Sequence, residues 1–504
     1  SGSNEINIFE ANFNSPANYT NNSVLTIRDN MSGTGSFTNG NGAELTLTNG
    51  GPFTVSTFNA AATGNTIIYT GYGSPTGFTG SYYNLVLNKS SGTLGFSGSP
   101  YILNDLTIQD GIFQVGAVTV NIGNNLNLED GEFTPDNASG VTNIGGNLNI
   151  SGGEYDHNSG TVKVTGNLEM TGGDILFSGG SSTIDISGDF NFNGGTPNLQ
   201  GGDFITNNLY VASGNEIFIN GINLTASGQV ELDGTMTFNN TGGSKLIGSV
   251  LVNATGNWNV TQPNNVTISG NITNNGVFTA DPGYGTSVYT LTSASGTLSG
   301  SGDLNIRDLV INSPASYTNE TTLSVANTFT GSGTFTNGAG ATFVYSGNNS
   351  SGTNFTVSNF DASAVGNTVV YAALTYNQQW RTTSSANNDY YNVTIETNTG
   401  DYQSINLAAD VRVNGTLNIV EGFVQLGSFD LEMAAGATIT GGDDSNYIRI
   451  NGSGVVRQYF SSVGSTLSFP IGDSNDYSPI TSFTVNSATL GANPYVELDI
   501  TDAN

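Results

Sequence analysis

The chain has 504 residues, of which 36% are hydrophobic, 10% aromatic and only 10% charged, and its 39 acidic against nine basic side chains give a formal net charge of −30. A disordered Gly/Ser/Asn-rich chain would lack this apolar content, so the composition favours an ordered β protein rich in turns. The negative charge argues against nucleic acid and anionic lipid as partners. The absence of cysteine excludes disulfides and thiolate metal sites.

A short strand-like motif recurs through the first half of the chain at intervals of 19 to 22 residues. It is a small polar turn followed by apolar, polar and apolar residues, the pattern of a strand with one buried face. Its leading apolar residues are Leu106, Leu126, Leu148, Leu168, Phe190 and Leu209. One period cannot bury its apolar face alone, whereas stacked periods can. The sequence therefore predicts an all-β fold, a right-handed parallel β-helix with about 20–22 residues per coil.

A longer duplication overlays this short period. SGSNEINIFEANFNSPANYTN at residue 1 matches SGSGDLNIRDLVINSPASYTN from Ser299 without a gap, and residues 1–122 recur as 299–433. Because residue 1 matches a position inside an unbroken repeat, we expect further coils of a longer parent chain before it. We predict a first long repeat over 1–298, a partial second copy over 299–445, and a small antiparallel β module over 446–504 that caps the solenoid.

Two oxygen-rich turns are candidates for a calcium site, because Ca²⁺ prefers hard oxygen donors. One turn contains Asp443 and Asp444, and the other contains Asp473 and Asp476. Neither turn has the spacing of an EF-hand, and Asp, Asn and Gly also form turns without an ion. Calcium is the one cofactor that the sequence suggests.

The stretch NQQWR is the candidate for sugar binding. It places the ring of Trp380 beside Gln379 and Arg381, in a region where the two long copies diverge and where the first copy has no Trp. Loops on one face of a solenoid often carry binding sites. The alternative is that Trp380 packs onto a neighbouring coil.

Catalytic signals are weak in this sequence. His157 is the only histidine, we expect it in a loop, and it has no second His or Cys with which to form a zinc site or a catalytic pair. The nine basic residues are scattered, unlike the basic groove of a polysaccharide lyase. We therefore predict no catalytic residue and no enzyme, although two carboxylates that converge in a groove would favour a hydrolase.

The Gly-Asn-Leu-x-Ile coils, followed by GVVRQYF and LSFPIGDSNDYSPI, resemble the large secreted surface proteins of Bacteroidota. The resemblance implies parallel β-helix stalks with adhesin or gliding-adhesin roles, an extracellular location at the cell surface, and export by type IX secretion. It also implies the outer-membrane secretion machinery as a partner, with surface glycans or other cells as adhesion targets.

Three functions are open on this basis. The first is a non-catalytic structural stalk segment of a secreted adhesin, which spaces or displays binding elements without inserting into a membrane. The second is a carbohydrate-binding or carbohydrate-active β-helix protein, either a lyase or a hydrolase. The third is a surface-coat protein or a passive secretion cargo.

Overall fold

The computed structural model describes residues 5–48, 51, 53–96, 98–116, 118–135, 140–157, 159–177, 180–373, 377–397, 404–464, 466–486 and 493–500. Within these ranges the regular elements are β-strands joined by turns, and there is no helix that could cross a membrane. Strands of successive coils pair in parallel, and the fold is a parallel β-solenoid. Contacts divide the chain into two compact units, Ser1–Ile247 and Gly248–Asn504.

The first unit consists of short strands of alternating apolar and polar residues, separated by Gly, Asn and Asp turns. The strands are Ile6–Asn12, Asn18–Asn21, Val24–Asn39, Glu44–Thr48, Phe53–Asn59, Thr66–Gly71, Ser81–Tyr82, Asn84–Phe96, Tyr101–Ile102, Leu106–Val115, Thr119–Ile122, Leu126–Leu128, Glu132–Pro135, Val141–Ile144, Leu148–Ile150, Glu154–His157, Thr161–Val164, Leu168–Phe177, Thr183–Ile186, Phe190–Gln200, Asp203–Thr206, Leu209–Val211, Glu216–Asn220, Asn223–Leu232 and Thr235–Asn240. The strand Lys245–Val252 contains the boundary between the units.

The second unit is built in the same way. Its strands are Asn257–Val260, Val266–Ile268, Ile272–Asn274, Val277–Ala280, Val288–Leu291, Gly296–Ser299, Leu304–Ile311, Ser316–Asn319, Thr322–Thr330, Thr334–Asn337, Thr342–Tyr345, Asn359–Asp361, Thr368–Tyr371, Gln378–Gln379, Asp389–Tyr390, Asn392–Glu396, Ser404–Asn406, Val411–Val413, Thr416–Glu421, Phe423–Gln425, Leu431–Met433, Thr438–Gly441, Ile448–Arg449, Val456–Tyr459, Thr466–Phe469, Ile471–Gly472, Ile480–Thr484 and Tyr495–Leu498. The repeat boundary predicted at residue 298 lies inside this unit.

One column of apolar side chains runs through the first unit and confirms the predicted stacking. Leu148 pairs in register with Leu126 in one neighbouring coil and with Leu168 in the other. In order of pairing the column is Ile6, Leu25, Leu45, Ile67, Leu85, Leu106, Leu126, Leu148, Leu168, Phe190, Leu209 and Val230. Every member is buried except Ile6, which is 51% exposed. Each buried side chain contributes about 1.5–3 kcal/mol, so the interior fixes the register.

A ladder of hydrogen bonds at one corner explains the recurring Gly-Asn-Leu motif. The Oδ1 atom of Asn147 accepts a hydrogen bond from the backbone N–H of Asn167 in the next coil, at 2.9 Å. The same link runs from Asp105 through Asn125, Asn147, Asn167, Asp189 and Asn208 to Gln229. A Cβ atom on Gly166 would lie 2.2 Å from Asn147 Oδ1. Glycine therefore leaves room for the ladder, the side-chain oxygen forms the link, and leucine fills the interior.

Replacing Gly166 with alanine should lower the free energy of unfolding by about 2 kcal/mol. The added methyl group displaces Asn147 Oδ1 and leaves the N–H of Asn167 without its acceptor. Urea unfolding followed by circular dichroism measures the loss. Gly95→Ala is the matched control, because a Cβ atom at Gly95 meets no atom within 4 Å. An equal loss in both variants would contradict this explanation of the glycine.

Buried asparagines form a second kind of ladder, and it occurs in both units. Asn21 Nδ2 donates to Asn39 Oδ1 at 2.8 Å in the first unit, and Asn319 Nδ2 donates to Asn337 Oδ1 at 2.9 Å in the second. Asn367 Nδ2 continues the second ladder by donating to Asn337 O at 2.8 Å. These are matching positions of the long duplication, so the duplicated sequence builds the same coil twice.

Parallel pairing continues past residue 446, where we expected the antiparallel module to begin. Ile448–Arg449 pairs in parallel with Phe423–Gln425 on one side and with Ile471–Gly472 on the other. The antiparallel pairs are Val456–Tyr459 with Tyr495–Leu498, and Thr466–Phe469 with Ile480–Thr484. Ile448 is buried and occupies an interior position of a coil, so coil-like pairing is still present at this residue.

Candidate functional site

Trp380, the predicted sugar platform, is fully buried in the second unit. The centroid of its ring lies 5.8 Å from that of Tyr371 and 5.8 Å from that of Tyr390. Its backbone N–H donates to Asn406 O of the next coil at 2.8 Å. A sugar stacks on an aromatic face that reaches solvent, and this ring has no such face. The structure has the alternative arrangement, in which Trp380 packs inside the coils.

Arg381 and Gln379, the other two predicted ligand-binding residues, also make internal contacts. Arg381 Nη2 donates to Val357 O at 2.7 Å, and the backbone N–H of Arg381 donates to Tyr371 Oη at 3.0 Å. The backbone N–H of Gln379 donates to Asn349 O at 3.2 Å. These contacts tie the segment to the fold, and the sugar site predicted around Trp380 is not formed in this structure.

The first predicted calcium turn is closed by its own hydrogen bonds. Asp443 Oδ1 accepts from the backbone N–H of Ser445 at 2.8 Å and from Asn446 Nδ2 at 2.9 Å. Asp444 Oδ1 accepts from the hydroxyl of Ser445 at 3.3 Å. The carboxylates thus act as caps for the turn, which is their ordinary structural role.

The second predicted calcium turn follows the same pattern. Asp473 Oδ1 accepts from the backbone N–H groups of Asn475 at 2.6 Å and of Asp476 at 2.7 Å. These bonds favour the charged form and hold the pKa of Asp473 below its usual value. In the described part of the chain, Asp443, Asp444, Asp473 and Asp476 do not form a group of three carboxylates within 4.8 Å. Calcium binding at these turns stays a prediction.

Among the residues that the structure describes, three carboxylates converge in the first unit. Ligand oxygens of Glu132, Glu154 and Asp156 all lie within 4.8 Å of one another. Glu154 pairs in register with Glu132 of one neighbouring coil and with Asp174 of the other. We call Glu132, Glu154 and Asp174 the acidic column, because they face outward in successive coils. This column was not among the features predicted from the sequence.

A shallow groove formed by glycine turns lies beside the acidic column. Gly131 and Gly153 have φ angles of 85° and 68°, a region that favours glycine. A Cβ atom on Gly153 would lie 2.2 Å from Gly131 O, so successive backbones approach too closely for a side chain. The described residues that line the groove are acidic residues, glycines and Ile112, with no aromatic or basic side chain among them. The groove therefore offers negative charge but no ring on which a sugar could stack.

The pKa of Glu154 is raised above its usual value. Burial is the largest cause, and the negative charges of Glu132, Asp156 and Asp174 add to it. Carboxylates separated by ~5 Å are also the arrangement that retaining glycoside hydrolases use. A raised pKa beside a second carboxylate suits a general acid. The groove thus has one feature of a hydrolase, although it lacks a platform for the substrate.

Replacing Glu154 with glutamine should raise the free energy of unfolding at pH 7, by less than about 1 kcal/mol after solvent screening. Because the pKa of Glu154 is raised by folding, its charge destabilises the fold as the pH rises through the range where it ionises. The gain should shrink at high salt and at acidic pH. Urea unfolding at two salt concentrations measures it.

Glu44→Gln is the control for this change. The residues paired in register with Glu44 are Val24 and Thr66, which carry no charge. The salt dependence of its stability should therefore differ little from that of the parent. A destabilised Glu154→Gln variant would show that Glu154 makes a favourable contact and that repulsion does not dominate.

His157, which we expected in a loop, is buried in the strand Glu154–His157. Its ring stacks on Phe177, with the centroids 5.8 Å apart and the planes at 3°. Burial lowers the pKa of His157 to about 4. The expectation is wrong because Tyr155 and His157 alternate inward along a regular strand, while Asp156 faces outward. The histidine is a core side chain.

Several basic side chains make hydrogen bonds, ring contacts or ion pairs with other residues of the chain. The ammonium group of Lys245 donates to backbone carbonyls, one of them at 3.1 Å. The guanidinium of Arg449 lies 3.2 Å from the centroid of Phe423, and Arg457 Nη1 lies 2.6 Å from Asp430 Oδ2. These contacts leave these cations little freedom to bind an anionic polymer.

A second shallow groove of the first unit carries an exposed aromatic ring. Tyr101 is 44% exposed, and Asn121, Asn143 and Lys163 line the same groove. Asn143 Nδ2 donates to Asn121 Oδ1 at 2.9 Å, so the two amides stand one above the other in successive coils. An aromatic face with hydrogen-bonding groups beside it is a chemically suitable surface for a sugar.

A scan against protein-family models finds no matching family, and searches of curated proteins and of solved structures find no matching protein.

Proposed function

We propose that this chain is a non-catalytic structural segment of a secreted bacterial surface adhesin, a stalk that spaces or displays binding elements. The observation that carries the proposal is the continuous linkage of coils in the first unit. From Asp105 to Gln229, backbone pairing, the apolar column and the corner ladder tie each coil to the next. At ~4.8 Å per coil, the six links of this ladder correspond to roughly 29 Å.

The chemistry of the surface supports a structural role. A net charge of −30 keeps neighbouring copies apart and disfavours nonspecific adhesion to anionic surfaces. Most buried positions are filled by apolar side chains, and buried asparagines such as Asn319 bond to the next coil through their amides. The same features would also suit a surface-coat protein or a passive secretion cargo.

The repeat sequence supports a more specific assignment. The Gly-Asn-Leu coils and the LSFPIGDSNDYSPI stretch favour a Bacteroidota surface protein that is exported by type IX secretion. In that setting the chain is extracellular and anchored through its parent protein. Its partner during export is the outer-membrane secretion machinery, and the binding elements that the stalk displays contact surface glycans or other cells afterwards.

The test measures two things separately: how well the chain displays an added ligand-binding domain, and whether the chain itself binds anything. The chain is inserted between a surface anchor and a known ligand-binding domain on a display host, and capture of ligand-coated beads is measured. A spacer should increase capture relative to the domain joined directly to the anchor. The chain without the added domain should neither retain glycans or cells nor degrade polysaccharides. Binding or cleavage by the chain alone would overturn the non-catalytic stalk.

Carbohydrate binding is the second candidate, and the groove around Tyr101 favours it. The exposed ring and the stacked amides of Asn121 and Asn143 are the observation in its support. If this candidate is correct, the chain binds immobilised glycans, and Tyr101→Ala abolishes binding without changing stability. Loss of glycan hydrolysis in Glu154→Gln would instead indicate catalysis at the acidic column.

A further inference from the structure

Three aspartates of the chain are followed directly by glycine: Asp110, Asp130 and Asp233. In such an Asp–Gly step the backbone nitrogen of the glycine can attack the carboxyl carbon Cγ of the aspartate and close a five-membered succinimide ring. Glycine has no side chain to hinder the attack and adopts the required backbone conformation at little cost. In a folded chain the reaction depends on where that nitrogen is held relative to the carboxyl group.

The fold places the nitrogen against the carboxylate at two of the three steps. The backbone N–H of Gly111 donates to Oδ1 of Asp110 at 2.7 Å. The backbone N–H of Gly131 donates to Oδ1 of Asp130 at 3.0 Å. Each nitrogen therefore lies beside the carboxyl carbon to which Oδ1 is bonded. Groups that react readily are held in this way, with the reacting atoms about 3–3.5 Å apart.

Asp233 is held in a different arrangement. Its Oδ2 accepts a hydrogen bond from Tyr210 Oη at 2.7 Å. The backbone N–H of Gly234 donates to Val211 O of the neighbouring coil at 2.9 Å. The nitrogen of this step is thus bonded to another strand and is not directed at the aspartate. The same dipeptide is in a geometry that disfavours the attack.

The long duplication provides a second comparison, in the second unit. Glu421 and Gly422 stand at the positions of Asp110 and Gly111. A glutamate would close a six-membered ring instead of a five-membered one. The backbone N–H of Gly422 donates to Asn446 Oδ1 at 2.6 Å. The duplicate therefore differs from the first copy in both the reacting residue and the hydrogen bond.

The two reactive steps are also accessible to water, which is needed to open the succinimide. Both steps line the shallow groove beside the acidic column. Asp130 is exposed, and Asp110 is half-buried. The steps occupy the same corner of successive coils, because Ile112 pairs in register with Glu132.

We propose that Asp110 and Asp130 are sites of isoaspartate formation in the folded chain, and that Asp233 is not. The feature that selects them is the hydrogen bond from the following glycine nitrogen to the aspartate carboxylate. The proposal rests on the geometry of single coils and goes beyond the stalk function. Either can therefore fail without the other.

The reaction consumes no reactant other than water. With the carboxyl group in its protonated form, the glycine nitrogen attacks Cγ, the N–Cγ bond forms, and the Cγ–OH bond breaks. The hydroxyl leaves as water with the proton of the nitrogen. Water then adds to the succinimide. Cleavage of the N–Cγ bond restores aspartate, whereas cleavage between the nitrogen and the main-chain carbonyl carbon leaves isoaspartate.

Isoaspartate has a methylene group in the main chain instead of the side chain, so the corner gains one backbone atom. The corner has little room for it, because a Cβ atom on Gly131 would already lie 2.5 Å from Gly111 O. Conversion of Asp130 therefore weakens the stacking of its coil on the preceding one. The amides of the strand Glu132–Pro135 should then exchange faster.

The test compares the three Asp–Gly steps in one molecule. The full chain is incubated in mildly acidic buffer, folded in one sample and unfolded in urea in another. Peptide mapping follows the succinimide, which is lighter by one water, and the isoaspartate, which elutes apart from aspartate at unchanged mass. The rate at each site in the folded chain is divided by its rate in urea, which removes the intrinsic reactivity of the local sequence.

We expect this ratio to be at least about tenfold larger at Asp110 and Asp130 than at Asp233. Equal ratios at the three sites would overturn the proposal, because the hydrogen bond would then have no effect. A larger ratio at Asp233 would overturn it as well.

Two variants separate the effect of the hydrogen bond from that of the dipeptide. Asp110→Glu should abolish conversion at this position and leave the second site unchanged. Glu421→Asp makes a further Asp–Gly step, yet its ratio should be as low as that of Asp233, because the N–H of Gly422 is bonded to Asn446. A ratio as high as that of Asp110 would show that the dipeptide alone suffices and would overturn the proposal.

Amide hydrogen exchange before and after the incubation tests the weakened corner. The strand Glu132–Pro135 should exchange severalfold faster in converted chains, while the strand Thr235–Asn240, which follows Asp233, should not change. Unchanged exchange of Glu132–Pro135 in converted chains would overturn this consequence for the stacking.

Discussion

Trp380→Ala should lower the free energy of unfolding by about 3–5 kcal/mol. The indole is fully buried, and its ring packs against Tyr371 and Tyr390. Its removal leaves a cavity between coils. Backbone pairing with neighbouring coils keeps these coils in place, so the cavity is not filled. Trp380→Phe keeps an aromatic ring in the site and should lose much less. Urea unfolding followed by tryptophan fluorescence and circular dichroism measures both losses.

Tyr72→Ala is the matched control for Trp380→Ala. The ring of Tyr72 is 64% exposed, so its removal should change stability by less than about 0.5 kcal/mol. A sugar platform at Trp380 would give the reverse result, with glycan binding lost and stability unchanged. That result would restore the ligand site that the sequence suggested at this position.

His157→Phe should become more stable than the parent as the solution is acidified. Burial lowers the pKa of His157 to about 4, from 6.5. Above pH 6.5 the histidine is neutral in both states and contributes no pH dependence. Between pH 6.5 and 4 the unfolded state takes up a proton that the folded state does not, so stability is lost as the pH falls. The full loss is about 3 kcal/mol below pH 4.

The difference between parent and variant isolates this effect from the titration of the acidic residues. The free energy of unfolding of each is measured from pH 7 to pH 3.5, and their difference should grow by about 3 kcal/mol. Because His157 is the only histidine of the chain, its titration can also be followed directly by NMR. A constant difference across the range would show that His157 is protonated in the folded state near its ordinary pKa.

The stacking of coils could be predicted from the sequence because it is periodic. Leu126, Leu148 and Leu168 recur at the interval of one coil, and the structure pairs them in register. The acidic column carries the same signal, since Glu132 and Glu154 are separated by the same 22 residues as Leu126 and Leu148. These acids do not form a cluster along the chain, but the solenoid brings together residues one period apart.

The position of Trp380 could not be derived in this way. It follows the strand Gln378–Gln379, which is only two residues long and too short to show an alternation. The composition of its neighbours suggested a binding loop, while the surrounding coils determine that the ring points inward. His157 was predictable in principle, because its strand contains Tyr155 and His157 at alternate positions.

Because of the corner ladder, one coil can take the place of another without breaking the links between coils. Each of its links joins a side-chain oxygen to the backbone N–H at the equivalent place one period later, as Asn125 does to Asn147 and Asn147 to Asn167. A gene that lost residues 146–165 would encode a chain in which Asn167 follows Asn125 in the ladder and Leu168 follows Leu126 in the column. Loss of a single residue would instead turn every later side chain of that strand to the opposite face. Such a protein can therefore change length during evolution in steps of one coil, and the duplicated segment shows that larger steps have also been tolerated.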